Sequence, residues 1–217
     1  MKRQRGISVK TMLCAILMAW GVTLMAPAQD QLRRTLMSMP DSIVPFLNHS
    51  MMGELVEFAG RGGTAEVKNK LDGMTSLDTL LSDYAAFTLT KVDKMHILLL
   101  PRAAEEPVVC MVHSCYGPEP ESTVSFFSTD WKRLPNEELL TAMTIDELLQ
   151  RPDTMTMDRF LELRRLIDPC LVFVEVIPQE RALVFSLSKP LLTEEDKKAL
   201  HAVVVQKTIK WNGNTFK

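Results

Sequence analysis

The stretch DYAAFTLTKVDKMHILLLP, residues 83–101, decides the fold because its hydrophobic pattern repeats every two residues. Ala85, Phe87 and Leu89 alternate with more polar neighbours, which is typical of a strand. The segment KVDK (91–94) then indicates a turn, and a second apolar run follows from Met95 to Leu100. The stretch therefore predicts a pair of antiparallel strands.

Two more apolar runs continue this series toward the C-terminus. They are PVVCMVHSCY (107–116) and STVSFFS (122–128), and short polar loops separate them from their neighbours. Four successive strands joined in this way predict an antiparallel meander. In the last strand Val124 and Phe126 point to one face while Ser125 and Phe127 point to the other, so we expect both faces of the sheet to be covered at least in part.

Helical patterns flank the meander on both sides. Residues 30–60 have apolar residues at the spacing of one helix face, and three helix starts are indicated after the meander: Asn136, the capping-box pair Thr144 and Glu147, and Thr193. A hairpin (170–177 and 182–188) and a last strand (204–211) are also predicted. The predicted class is α+β, with an antiparallel sheet made of the meander and the C-terminal hairpin and strand, packed with helices on one side or end.

The mature chain has the length of one domain, residues 29–217. An alternative division stays open, because residues 29–134 and 135–217 share a plan of helices followed by antiparallel strands. No repeated residue pattern links these two halves.

The N-terminus has the three parts of a secretory signal peptide. A basic leader, MKRQRGISVK, precedes the uncharged run TMLCAILMAWGVTLM and the small-residue site APA (26–28). The apolar run is shorter than the ~20 residues that a membrane-spanning helix needs. We expect residues 1–28 to be removed after Ala28, leaving a periplasmic or secreted protein with no membrane span.

Removal of that leader would make the chain strongly acidic. It takes away Lys2, Arg3, Arg5 and Lys10, which leaves 21 basic residues against 27 acidic ones and a net charge of −6. Nucleic acids and anionic lipids require clustered Lys and Arg, so neither is expected as the main partner.

A metal site and a catalytic site are both poorly supported. Cys110, His113 and Cys115 are suitable zinc ligands by type, but in a strand Cys110 faces away from the other two, so we expect no metal and no cofactor. The four histidines lie in no catalytic motif. An enzyme is therefore not favoured, although a hydrolase whose residues meet only in three dimensions stays open.

The aromatic-rich stretch GPEPESTVSFFSTDWKRLP (117–135) raises two alternatives. As a binding surface it would use Tyr116, Asp130, Trp131 and Arg133. As a structural element, Trp131 would fold back over the edge of the core with its N–H hydrogen-bonded. The second alternative is favoured, because a tryptophan just after a strand end most often packs in this way.

Four segments together resemble a known family. They are PESTVSFFSTDWKRL after Tyr116, SDYAAFTLTKVDKMHILLLP before it, and RFLELRRLIDPCLV and LSKPLLTEEDK after it. The chain is similar over about residues 40–210 to a Bacteroidetes family of exported proteins, domain of unknown function 3256. The resemblance implies an exported protein of a Gram-negative bacterium, and it supplies no catalytic residues.

These observations lead to one functional expectation and one alternative. The expectation is a soluble, non-catalytic protein of the cell envelope that binds a protein or a glycan. The alternative is a periplasmic or secreted hydrolase. A deep pocket in which histidine and acidic residues converge would favour the hydrolase, whereas a shallow surface on the sheet would favour binding.

Overall fold

A computed structural model describes residues 26–62, 64–103, 105–168, 170–188 and 192–217, and for residues 26–30 it describes the backbone alone. The predicted leader therefore lies outside the described residues, except for the backbone of residues 26–28. The cleavage prediction stays a prediction.

Ten strands and five α-helices make up the described chain. The helices are α1 (Ala26–Met37), α2 (His49–Gly60), α3 (Asn136–Leu139), α4 (Met157–Arg165) and α5 (Glu194–His201), with 3-10 helices at Ile145–Leu148 and Pro178–Glu180. The strands are β1 (Glu66–Lys68), β2 (Met74–Leu80), β3 (Tyr84–Thr88), β4 (Asp93–Leu100), β5 (Val108–Tyr116), β6 (Pro120–Phe127), β7 (Arg133–Leu134), β8 (Val172–Ile177), β9 (Ala182–Leu187) and β10 (Lys207–Lys210).

Strands β1 to β7 form one antiparallel sheet in chain order. The predicted meander is confirmed as β3 to β6, whereas β1, β2 and the short β7 were not predicted. Strand β2 was not predicted because its pairing register with β3 shifts between Leu77 and Thr79, which breaks the two-residue repeat of its apolar side chains.

The C-terminal strands form a second antiparallel sheet in the order β10-β9-β8. The predicted hairpin and last strand are thus confirmed, but they do not extend the meander. Arg181 turns the hairpin with a left-handed backbone, φ 48°, and its guanidinium lies 3.0 Å from the carboxylate of Asp83, between β2 and β3. This ion pair joins the two sheets at the surface.

Each face of the large sheet carries its own hydrophobic core. On one face α1 and α2 pack against residues that include Phe87, Ile97 and Phe127. On the other face Phe126 belongs to a core that the second sheet and the C-terminal segment complete. The α+β class and the coverage of both faces are confirmed.

The predicted helix starts have mixed outcomes. The capping box at Thr144 and Glu147 is present, although it begins a 3-10 helix, and the Thr193 side chain accepts a hydrogen bond from the Asp196 amide as the N-cap of α5. The prediction for Asn136 is wrong, because Pro135 holds the cap position of α3. The side-chain amide of Asn136 instead donates to the Val124 carbonyl at 2.9 Å and links this segment to the sheet.

Candidate binding surface

The four residues predicted for binding do not form one site. Tyr116 ends β5, whereas Asp130, Trp131 and Arg133 follow β6 at the opposite end of the same hairpin. Tyr116 lies seven positions after Val109, which pairs with Phe127. At the rise of a strand this corresponds to about 23 Å.

Trp131 is a core residue and cannot be an exposed binding contact. Its side chain is 7% exposed, and its indole N–H donates to the Thr35 carbonyl of α1 at 2.8 Å. Its ring lies 5.5 Å from that of Phe127. The prediction of a tryptophan packed over the core edge with a bonded N–H is confirmed, and the exposed position that the binding alternative required is not observed.

Asp130 and Arg133 are exposed, and both have local partners. The ammonium of Lys132 lies 2.7 Å from Asp130, and its hydrogen bond, together with one from the Ser128 hydroxyl, lowers the pKa of Asp130 to about 2. The Arg133 guanidinium lies 5.3 Å from the centre of the Phe127 ring. These contacts explain both residues as parts of the turn around Trp131.

Tyr116 lies at the other end of the sheet, where three turns meet. Its amide donates to the Val92 carbonyl of the β3–β4 turn at 2.6 Å. Its ring packs edge-on against the ring of Phe173 in β8, with 5.9 Å between the ring centres. The Lys94 ammonium lies 5.5 Å from the centre of the Tyr116 ring. Burial, followed by the nearby carboxylate of Glu175, raises the pKa of Tyr116.

Beside Tyr116 an open cavity of about 750 Å³ lies between the β1–β2 and β3–β4 turns. We call it the tip cleft, and the described residues that line it are Asn69, Leu71, Asp72, Gly73, Met74, Thr88, Thr90, Lys91, Val92 and Asp93. Its volume falls in the range of about 300 to 1,000 Å³ that is usual for ligand pockets.

Asn69 builds the first wall of the tip cleft. Its side-chain oxygen accepts hydrogen bonds from the amides of Leu71 and Gly73 at 2.9 and 3.1 Å. Its side-chain amide donates to the Thr75 hydroxyl at 3.1 Å, and that hydroxyl donates to the Leu89 carbonyl at 2.7 Å. The buried asparagine thus fixes its own turn and links it to the end of β3.

Thr90 builds the second wall by similar chemistry. Its hydroxyl accepts from the amides of Val92 and Asp93 at 3.2 and 3.1 Å and donates to the Asp93 carboxylate at 2.9 Å. The shape of both turns is therefore set by internal hydrogen bonds, without a ligand.

These two fixed turns and the first residue of β2 hold large apolar side chains in solvent. Leu71 is 63% exposed, Met74 53% and Val92 48%. Turns usually carry small polar residues, so three aliphatic side chains around one cavity are the feature that distinguishes this surface. Sequence reasoning missed it, although Leu71 in NKLDG and Val92 in TKVDK are visible as apolar residues inside turn sequences.

The histidines do not assemble a hydrolytic site among the described residues. His96 has the Tyr84 hydroxyl 2.7 Å from its Nδ1 and no serine or cysteine as a hydrogen-bond partner. Burial, followed by Lys94, lowers the pKa of His96, and Asp78 opposes them. His113 is exposed, and its Nε2 lies 3.6 Å from Asp93. The described lining of the tip cleft contains no histidine, cysteine or serine.

The cysteines of the described chain are free thiols. Cys110 is buried, whereas Cys115 and Cys170 are exposed, and burial raises the pKa of Cys110 far above the ordinary range. Cys110 pairs with Phe126 and Cys115 with Glu121 along one continuous strand, so the two thiols face opposite sides of the sheet. No group of three metal-ligating side chains is found within the described ranges.

None of the helices in the described part of the chain has the length and hydrophobicity that crossing a bilayer requires.

Comparisons with known proteins support a family assignment and a fold. A family model described as "Protein of unknown function (DUF3256)" matches residues 24–216. A solved domain of an uncharacterized protein from Porphyromonas gingivalis W83 is similar, with a TM-score of 0.74 and 18% sequence identity over 86% of this chain and 96% of that chain. At that identity the likeness shows the fold alone. No curated protein matches the chain.

Proposed function

Because the chain belongs to the family described as "Protein of unknown function (DUF3256)", whose description names no activity, we propose a function from the geometry. The protein is an exported, non-catalytic component of the cell envelope, and it binds a protein partner through the tip cleft. The exposed Leu71 and Val92 on internally fixed turns, with Met74 at the start of β2, are the observation that carries this proposal.

The energetic argument starts from the state of these side chains in the free protein. Each is about half exposed, so covering the remaining apolar area of one side chain would contribute roughly 1 kcal/mol. Both turns are already ordered by Asn69 and Thr90, so a partner would not have to order them. Preorganised apolar groups around a concave surface are the usual elements of a binding hot spot.

The chemistry of the tip cleft favours a protein over a glycan. Glycan sites commonly offer an open aromatic face and several free hydrogen-bonding groups, whereas Leu71, Met74 and Val92 are aliphatic. The backbone amides that follow Asn69 and Thr90 already donate hydrogen bonds to these two side chains within the turns. Tyr116 contacts Phe173 and Lys94, so its ring is already engaged. A peptide with a bulky apolar side chain fits these groups better.

Export is part of the proposal and rests on the N-terminal pattern. The basic leader, the apolar run and the APA site support removal of residues 1–28, which places the protein in the periplasm or outside the cell. The similar domain from Porphyromonas gingivalis supports an origin in the Bacteroidetes. Intact-mass analysis of the protein purified from its native envelope tests cleavage, because a retained leader or a lipid-modified cysteine contradicts it.

The binding proposal is tested by affinity capture from a native envelope extract with residues 29–217 as bait. The test variant is Leu71→Ser/Met74→Ser, and the matched control is Met157→Ser/Leu161→Ser, which removes two other exposed apolar side chains from α4. We expect wild type and the control to retain the same partner and the test variant to lose it. Equal recovery with all three baits would contradict a role of the tip cleft.

A further inference from the structure

We propose that Asn212 is a site of self-modification, in which the backbone nitrogen of Gly213 attacks the Asn212 side chain and expels ammonia. The resulting succinimide then opens with water to aspartate or isoaspartate. The site lies in the turn that precedes the C-terminus, and the inference does not rest on the proposed binding function.

The sequence singles out this asparagine among the five of the chain. Glycine follows Asn212, whereas the residues that follow the other four are His49, Lys70, Glu137 and Thr215. A side chain on the following residue hinders the approach of its backbone nitrogen to the asparagine, and glycine has no side chain. The Asn-Gly step is therefore the one at which this reaction meets the least steric resistance.

The attacking nitrogen is accessible in the structure. Asn212 is exposed, and Gly213 has a φ of 99° with empty space where a side chain would stand. Within the described part of the chain, the Gly213 N–H donates no hydrogen bond. A base in the solvent can therefore remove its proton without breaking an internal contact.

The fold also holds the reacting side chain in a polarised state. The Asn212 Oδ1 accepts hydrogen bonds from the backbone amides of Asn214 and Thr215, each at 2.9 Å. Attack on Cγ places negative charge on this oxygen. Two N–H groups already directed at it stabilise that charge in the way that an oxyanion hole does, and attack within one chain needs no encounter of two molecules.

The chemistry is balanced with water as the only co-reactant. A bond forms between the Gly213 nitrogen and the Asn212 Cγ, and the side-chain amide leaves as ammonia with the proton that Gly213 lost. Water then breaks one of the two imide C–N bonds. Opening at Cγ gives aspartate, whereas opening at the backbone carbonyl carbon gives isoaspartate, in which the main chain runs through the former side chain.

The isoaspartate product would disturb the C-terminal part of the core. The Asn212 amide donates to the Thr215 carbonyl at 3.1 Å, which closes the turn beside the bridge between Trp211 and Phe216. Phe216 is 1% exposed, and its amide donates to the Leu139 carbonyl at 2.9 Å. An extra main-chain atom in this turn is incompatible with these bonds, so Phe216 would lose its fixed position.

The experiment incubates residues 29–217 at physiological temperature and mildly alkaline pH, with samples taken over several weeks. Trypsin cleaves after Lys210 and releases residues 211–217 as one peptide. Mass spectrometry should show the exchange of a side-chain NH2 for OH at Asn212, with separate aspartate and isoaspartate products. Asn214 is exposed in the same peptide and precedes Thr215, so it is the internal control that should stay unchanged.

Two comparisons test the contribution of the fold. The reaction should be at least as fast in the folded protein as in guanidinium chloride, because only the folded turn directs two amides at Oδ1. The variant Asn212→Asp has no amide to lose, and its carboxylate keeps an acceptor for both N–H groups. It should show no mass change and melt like wild type, whereas the isolated isoaspartate form should melt at a lower temperature.

Each of three results overturns the inference. The first is an Asn212 that stays intact in the folded protein while the unfolded chain reacts, which would mean that the turn protects it. The second is aspartate without isoaspartate, because direct hydrolysis gives aspartate alone and the succinimide gives both. The third is equal conversion of Asn214, which would remove the role of Gly213.

Discussion

Trp131 is the residue at which the N-terminal helix is fastened to the large sheet. It has a left-handed backbone, φ 62°, which costs free energy for a bulky residue. The buried ring beside Phe127 and the bond to Thr35 compensate for that cost. We expect Trp131→Ala to lower the free energy of unfolding by about 3 to 5 kcal/mol, the usual range for emptying a large aromatic site, as measured by urea denaturation.

The control Trp131→Phe separates packing from hydrogen bonding. It keeps most of the buried ring but loses the indole N–H. The Thr35 carbonyl would still accept a hydrogen bond from the Ser38 hydroxyl at 3.0 Å, so the loss should be only about 1 kcal/mol. A Trp131→Ala protein that unfolds at the same urea concentration as wild type would show that this residue is not structural.

His96 makes the stability of the fold depend on pH. Burial lowers its pKa below the ordinary value of 6.5, and Lys94 adds to that effect. Between pH 6.5 and the lower folded pKa, the unfolded chain binds more protons than the folded protein, so the free energy of unfolding falls as the pH falls. The loss begins near pH 6.5 and ends once the pH is below the folded pKa.

His96→Gln tests this linkage by removing the titrating group. Urea denaturation across the range from about pH 5 to 7.5 should show a steeper decline in wild type than in the variant. The comparison is needed because carboxylates also titrate toward the lower end. Identical pH slopes in the two proteins would mean that His96 titrates alike in the folded and unfolded states.

At the scale of elements, the β1–β2 turn depends on the side chain of Asn69. Asn69→Ala removes hydrogen bonds to Leu71, Gly73 and Thr75, so we expect a loss of about 2 kcal/mol in the free energy of unfolding. It should also weaken ligand binding, because the turn would no longer hold Leu71 in place. Chemical denaturation and affinity capture of the envelope partner measure the two effects.

Asp72→Asn is the matched control in the same turn. Asp72 has φ 59°, a conformation that asparagine also tolerates, and the Lys68 ion pair that it loses is exposed. We expect its stability to stay within about 0.5 kcal/mol of wild type. If Asn69→Ala is as stable as this control, contacts other than the Asn69 side chain keep the turn ordered.

The same elements show how much the sequence could predict. Strands β3 to β6 were predictable because their side chains alternate without interruption, whereas the register shift at Leu77 and Thr79 in β2 interrupts the pattern. The burial of Trp131 followed from its position after a strand end. The helix start at Asn136 was misplaced because its side-chain amide donates to the Val124 carbonyl of the sheet. This contact joins distant elements, and the local sequence does not indicate it.

The tip cleft could not be predicted because it depends on neighbours in space. Leu71 and Val92 come from different turns, and only the pairing of β2 with β3 brings those turns together. Tyr116 was predicted as a binding residue because it adjoins the aromatic-rich stretch. It lies beside the cleft because β5 pairs with β4. Its three companions were assigned to the same surface because they are close in sequence, and the hairpin carries them to the opposite end.

At the scale of the whole molecule, one sheet supports two hydrophobic cores. Phe126 and Phe127 are adjacent on β6 and belong to different cores. Phe126 lies 6.1 Å from Phe216 near the C-terminus, whereas Phe127 lies 5.5 Å from Trp131. Unfolding of either core alone would expose an apolar face of the same sheet, so we expect residues 29–217 to unfold as a single unit.

Each core contains one tryptophan that can report on it. Trp131 lies in the core with α1 and α2. Trp211 lies in the other core, with its ring centre 5.3 Å from that of Phe216, and its N–H donates to the Pro101 carbonyl at 2.8 Å.

The variants Trp211→Phe and Trp131→Phe each leave a single tryptophan in residues 29–217, because Trp20 belongs to the predicted leader. Within each variant, fluorescence and far-ultraviolet circular dichroism should give the same urea midpoint, since one transition disrupts both cores and the sheet between them. Midpoints are compared within a variant because the two substitutions change stability by different amounts. A tryptophan signal that changes well before the circular dichroism in either protein would instead support two separately folding halves, residues 29–134 and 135–217.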